Sequence, residues 1–226
     1  MGVLLSARLI AIAFLLSALG ACASPPPPIM APPPPVAMLS PDAACLRDLA
    51  ATQATFQALG SFGEGHCSIA NPVRMSGGAV PWNRSGIISC PMARTLARFE
   101  AEVIQPLARK YFGQPVRRLD HYGTYDCRAQ RTESSEAAAK QGTSKGGRLS
   151  EHATGRAIDF AGIELADGRV ISVKRDWRAG GANGAFLHEL AKASCQTFNV
   201  VLTPNHDRLH QDHIHLDIGP HTLCGY

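Results

Sequence analysis

Histidine is unevenly spread along this chain of 226 residues, and five of its nine histidines (His206, His210, His213, His215 and His221) fall close together near the C-terminus. The tightest group is His213-Ile214-His215-Leu216-Asp217-Ile218. Side chains of a strand alternate between its faces, so a strand here puts His213, His215 and Asp217 on one face. Ile214, Leu216 and Ile218 take the other, which suits a core. The polar face must be wet, hydrogen-bonded or metal-bound, because unpaired buried polar groups are costly. Two imidazoles about 7 Å apart along a strand backbone can reach one small centre.

A second constellation reads Ser150-Glu151-His152-Ala153-Thr154-Gly155-Arg156-Ala157-Ile158-Asp159. Asp159 is expected in a strand, with Ile158 and Phe160 facing the core. Gly155 permits a tight bend that folds His152 back over Asp159. One imidazole and one carboxylate from this stretch, plus one imidazole from the first, make two histidines and one carboxylate. That set, with a fourth position open to water, is what a catalytic zinc needs, so Zn2+ is the expected cofactor.

The elements that must position these residues follow from pattern. Ser40-Pro41 marks a helix start, and Cys45, Leu49, Phe56 and Leu59 place one helix face up to Gly60. Residues 61–90 read as loops with one or two short strands. From Pro91, Leu96, Phe99, Val103, Leu107 and Tyr111 recur at helical steps, with a kink or break expected at Pro106. Val116 to Arg128 reads as a strand, and 129–149 as a short helix and a flexible loop. Strands are expected at 156–165 and 169–173 around an Ala166-Asp167-Gly168 turn, then a helix at 185–198 and strands at 199–203 and 213–218. The sum is an α+β domain with a small antiparallel sheet and flanking helices.

The first forty residues set the address. Leu9 to Leu19 is an apolar run too short to span a bilayer and suited to a signal-peptide core. It leads into Leu19-Gly20-Ala21-Cys22, so residues 1–21 read as a lipoprotein signal peptide and Cys22 as the lipidated residue. An ordinary signal peptide cut near Ala21 or Ala23 is the alternative. The stretch SPPPPIMAPPPPV at 24–36 favours extended polyproline II, which makes 22–39 a stiff spacer and 40–226 one domain. The expected location is the periplasm, tethered to a membrane, with the outer membrane suggested by Ala23. Setting Cys22 aside leaves Cys45, Cys67, Cys90, Cys127, Cys195 and Cys224, an even set that in an exported chain implies disulfides, with fifteen pairings open. Net charge is +4 with basic residues scattered, so no nucleic-acid stripe is present. A monomer is expected.

The motif Ser-x-His-x-x-Gly-x-Ala-x-Asp followed by His-x-His resembles the zinc peptidases that include D-alanyl-D-alanine carboxypeptidases, lysostaphin-type endopeptidases and penicillin-insensitive murein endopeptidases. The stretch from about 117 to 224 more closely resembles the bacterial extensin-like C-terminal domain family. Tyr125-Asp126-Cys127-Arg128, the run 150–162, Asp176-Trp177, the Phe186-Leu187 helix through Cys195, and the run 201–217 carry that resemblance.

The resemblance implies a hedgehog/D-Ala-D-Ala peptidase-like fold. It makes His152, Asp159 and His215 the metal ligands and peptidoglycan the partner. It also makes His213 and His210 active-site histidines, as base, oxyanion stabiliser or acid to the leaving amine. Asp212 stands where the carboxypeptidase branch has a glutamate base, one methylene shorter, and ranks below His213 for that role. Arg128 is implied to bind a substrate carboxylate, with a structural place beside a disulfide as the alternative. Ser150 orients His152, contacts substrate or serves the turn. Asp217 supports a ligand histidine or is simply solvated. His206 and His221 read as surface residues. The expected function is hydrolysis of peptide bonds in stem peptides or cross-links. The alternatives are a zinc-containing wall-binding domain and a structural envelope lipoprotein.

Overall fold

The computed structural model describes residues 40–134 and 147–225. The expectations for 1–39, including Cys22 and the proline-rich spacer, lie outside the described residues, as does the segment 135–146. Helix α1 spans Pro41–Ala50, where the Ser40 hydroxyl accepts from the Ala43 amide and a proline fills the first turn, which needs no amide hydrogen. The helix expected to reach Gly60 stops there. Thr52 ends it: its hydroxyl donates to the Leu49 carbonyl at 2.7 Å and accepts from the Ala54 amide at 3.1 Å. The next segment, β1 (Thr55–Ala58), pairs antiparallel with β2 (Pro72–Gly77). The spacing of Phe56 and Leu59 from Leu49 imitates a helix in a segment that is extended.

Strand β3 (Pro81–Ser89) leads directly into α2 (Cys90–Phe99), a π-helical segment at Glu100–Ile104, and α3 (Gln105–Phe112). Pro106 does not end this helix. It brings no amide hydrogen, and the wider turn just before it absorbs the missing bond. Glu100 opens the π segment and is buried, accepting from Trp82 Nε1 at 2.7 Å and from the Val80 amide at 3.3 Å. Burial still pushes its carboxyl up to about 7.

Strand β4 (Val116–His121) is shorter than expected, and 122–128 is loop, tied back by the Cys67–Cys127 disulfide. Then follow β5 (Ala157–Leu165), β6 (Val170–Ser172), α4 (Val173–Asp176), α5 (Gly181–Ser194), β7 (Val200–Leu202), β8 (Ile214–Asp217) and β9 (Leu223–Gly225). The other disulfides join Cys45 to Cys90 and Cys195 to Cys224.

The fold is α+β. Its sheet is larger than the small one expected: nine strands in the order β1-β2-β3-β4-β5-β8-β7-β9, with β6 beside β5. Most pairings are antiparallel, but β3–β4 and β7–β9 are parallel. Strand β5 lies at the centre, and Asp159 is its one residue not fully buried. Leu96, Phe99, Ile163, Leu165, Phe186, Leu190 and Leu216 are among the core residues joining helices to sheet. Among the described residues no helix is long and apolar enough to cross a membrane.

Candidate metal centre

Register builds the centre. Strands β5 and β8 run antiparallel with Asp159 directly opposite His215, so their side chains meet on one face. Their neighbours Ile158, Phe160, Ile214 and Leu216 are buried in the core. A one-residue slip of either strand would send one partner to the other face.

His152 arrives from a 3₁₀ turn, Glu151–Thr154, capped by Ser150, whose hydroxyl accepts from the His152 amide at 3.3 Å. Gly155 closes the turn at φ +65°. A Cβ there would lie 2.9 Å from the Ser89 amide nitrogen, so both the conformation and the close approach of β3 require glycine. The bend brings His152 Nε2 to 3.1 Å from Asp159 Oδ1 and 3.2 Å from His215 Nδ1, while His215 Nδ1 is 3.1 Å from the same oxygen.

The remaining ring nitrogens define what faces inward. His152 Nδ1 donates to the Thr124 carbonyl at 2.8 Å, and His215 Nε2 donates to Asp217 Oδ2 at 3.1 Å. Each ring in its neutral form thereby turns a lone pair toward the Asp159 oxygen. Three electron-rich atoms at this separation repel unless a positive charge, a proton or a metal ion, lies among them. The edge of a tetrahedron with metal–ligand bonds of about 2.0–2.2 Å is roughly 3.4 Å, close to the observed spacings. Among the described residues these three form the group able to hold a metal ion. Burial opposes charge on Asp159, yet hydrogen bonds from His152 and His215 hold its carboxyl well below the usual range. Burial likewise opposes charge on His215, but Asp159 and Asp217 outweigh it and raise the imidazole to about 9. Asp217, left open by the sequence, is thus buried behind a ligand-type histidine.

Two further imidazole–carboxylate pairs stand beside the cluster. His213 Nδ1 donates to Asp212 Oδ1 at 2.9 Å, leaving Nε2 at 3.4 Å from Asp159 Oδ1. Asp212 therefore sits behind His213 rather than at the cluster. His210 Nδ1 donates to Asp207 Oδ1 at 2.7 Å, and the same oxygen caps the short turn Arg208–His210 at the Leu209 amide, 2.8 Å away. The His210 ring centre is 5.1 Å from that of His213. Burial lowers His210 to about 4 against the pull of Asp207, so it is neutral at ordinary pH. The part of Asp207 was missed by sequence reading, although its place three residues before a histidine in a capping position was a signal.

All of this opens into a cavity of about 430 Å³, whose walls include Arg128, Ser150, Arg148, His206 and His221. Arg128 lines it but pairs with Asp126 at 2.7 Å. His206 and His221, read from sequence as surface residues, also line it, and His221 contacts the Arg148 guanidinium. The sequence profile of the family described as Extensin-like protein C-terminus matches residues 43–225. No curated protein and no solved structure matches the chain.

Proposed function

This chain belongs to the extensin-like protein C-terminus family, and from that premise we propose that it is a zinc-dependent peptidase of the cell envelope. Its substrates are peptide bonds of peptidoglycan stem peptides or cross-links, and it is akin to the zinc peptidases whose motif spacing it shares. The observation that carries this reading is the convergence of His152 Nε2, Asp159 Oδ1 and His215 Nδ1 at 3.1–3.2 Å, beside a cavity large enough for a peptide. Those three atoms would hold the zinc. When bound, zinc supplies Lewis-acid polarisation of a carbonyl and brings the pKa of water toward neutrality.

The chain's own residues supply the rest. His213, steered by Asp212 at Nδ1, keeps Nε2 free to take a proton beside the cluster. His210, held by Asp207 at Nδ1, offers a second neutral imidazole on the same wall, whose Nε2 can accept a hydrogen bond or a proton. Asp217 and the Thr124 carbonyl fix the tautomers of the two ligand rings. Arg128 and Ser150 lie on the cavity wall within reach of a substrate, although each already has a partner in the fold. Three disulfides suit an oxidising compartment, as does export followed by lipidation at Cys22.

The test is metal analysis together with product analysis. The purified chain is expected to carry one zinc and to release new amines from digested wall. His213→Ala is expected to keep the zinc and lose about 10²- to 10⁴-fold in rate. A zinc-replete chain that releases no amine from any wall fragment overturns the enzymatic reading.

A further inference from the structure

The loop that braces the metal centre has a second face, and we propose that this face is an anion subsite. There Arg84 and Arg74 bind a carboxylate of the same wall polymer that lies across the metal. This rests on the function proposed above.

Arg84, on β3, is held unusually firmly for a surface cation. Its Nε and Nη2 both donate to the His121 carbonyl, at 3.3 and 3.0 Å. The Asn83 side chain donates to that carbonyl at 3.2 Å and accepts from the His121 amide at 3.1 Å. His121 Nε2 in turn donates to the Arg84 carbonyl at 3.0 Å. The lock has a cost: His121 is buried, and its Nδ1 has no hydrogen-bond partner.

What the lock presents is a guanidinium without a counter-charge. Among the described residues neither Arg84 nor Arg74 has a carboxylate partner. Arg117 and Arg118, on neighbouring β4, both reach Glu164. Those two arginines are given an acid, and Arg84 and Arg74 are not. They line a cavity of about 310 Å³ with Gly86, Tyr122 and Thr124. A Cβ on Gly86 would lie 2.6 Å from the Thr124 hydroxyl, so the loop closes tightly on β3.

The same loop touches the metal cluster. The Thr124 carbonyl accepts from His152, and the Tyr122 amide donates to the Asp159 carbonyl at 2.9 Å. Tyr122 is 44% exposed, and its ring centre is 6.1 Å from that of His213. A chain lying over Tyr122 therefore reaches both the cluster and the arginines. A guanidinium fork suits a carboxylate there.

The experiment uses the full chain carrying zinc and His213→Ala, so that turnover does not confuse binding. It is titrated calorimetrically with muropeptides, and with the same muropeptides after amidation of their carboxylates. Arg84→Gln is expected to weaken binding about tenfold or more, as is amidation, and added salt is expected to weaken it as well. Arg84→Lys, which keeps charge but not the fork, is expected to fall between. Equal affinity of the Arg84→Gln chain, equal affinity for amidated fragments, or no binding by the parent overturns the proposal. If Arg84→Gln lowers zinc content or melting temperature, Arg74→Gln in the same cavity is read in its place. Amine release with Arg84-independent binding sinks the subsite alone. Arg84-dependent binding, with no amine release by the zinc-loaded chain that keeps His213, sinks the peptidase reading alone.

Discussion

Asp159 and Glu100 are both withdrawn from water and end in opposite states. Asp159 faces the imidazoles of His152 and His215, which hold its carboxyl far below the usual range despite burial. Glu100 is 1% exposed and meets only N–H groups, from Trp82 and from the Gly78–Val80 backbone, and burial leaves its carboxyl at about 7. Neutral donors alone do not keep a carboxylate charged in this interior, whereas groups that carry or attract positive charge do. The first arrangement is able to hold a cation. The second is a hydrogen-bonding plug beneath the π segment.

The largest break in that comparison is Asp159→Asn. An amide oxygen keeps roughly the shape but removes the negative charge that gathers the two imidazoles. Structural zinc binding is worth about 10–16 kcal/mol over four ligands, so loss of one is expected to weaken zinc binding on the order of 10²- to 10³-fold. Competition with a chromophoric chelator measures it. Zinc affinity unchanged from the parent would mean that Asp159 is no ligand.

Glu100→Gln sharpens the other side. The Glu100 carboxyl titrates near 7 in the folded chain and near 4.5 when unfolded. Between those values the folded chain holds a proton that the unfolded chain has released. Stability from this group is therefore full below about 4.5 and is lost as pH rises through about 7. Glutamine cannot ionise and keeps an acceptor for Trp82. The variant is expected to match the parent at pH 4 and to exceed it by up to about 3 kcal/mol at pH 8. Urea unfolding at both pH values decides it, and a constant difference between the two chains would show that Glu100 does not titrate as described.

The surroundings of Asp159 were legible in the sequence, and the plug at Glu100 was not. Strand alternation around His215 and the bend at Gly155 rest on local geometry, and both appear where local rules put them. Glu100 sits in an ordinary helical pattern, and its burial comes from β3 and Trp82, which are distant in sequence. Phe56 shows the converse, since helical spacing proved weaker than the pairing of β1 with β2. Asp212 and Asp207 were within sight as residues, but their partners depend on how the loop before β8 turns. The disulfide pairing and the parallel contacts of β3 with β4 and of β7 with β9 are likewise tertiary facts.

Asp217 tests the comparison most finely, because it is a buried acid one step removed from the cluster. Its Oδ2 accepts from His215 Nε2 at 3.1 Å and its Oδ1 from the Gly219 amide at 2.8 Å. If the cluster gathers positive charge as a unit, this carboxylate raises the basicity of His215 and fixes its tautomer, though it touches no ion itself. Asp217→Asn keeps an acceptor for Gly219 and removes the charge. Zinc affinity is then expected to fall about 10- to 100-fold, less than for Asp159→Asn. Stability of the zinc-free chain should move little, because the Gly219 contact survives. A loss of stability without a loss of zinc affinity would assign Asp217 to the strand end rather than to the metal, and would bring it closer to Glu100 than to Asp159.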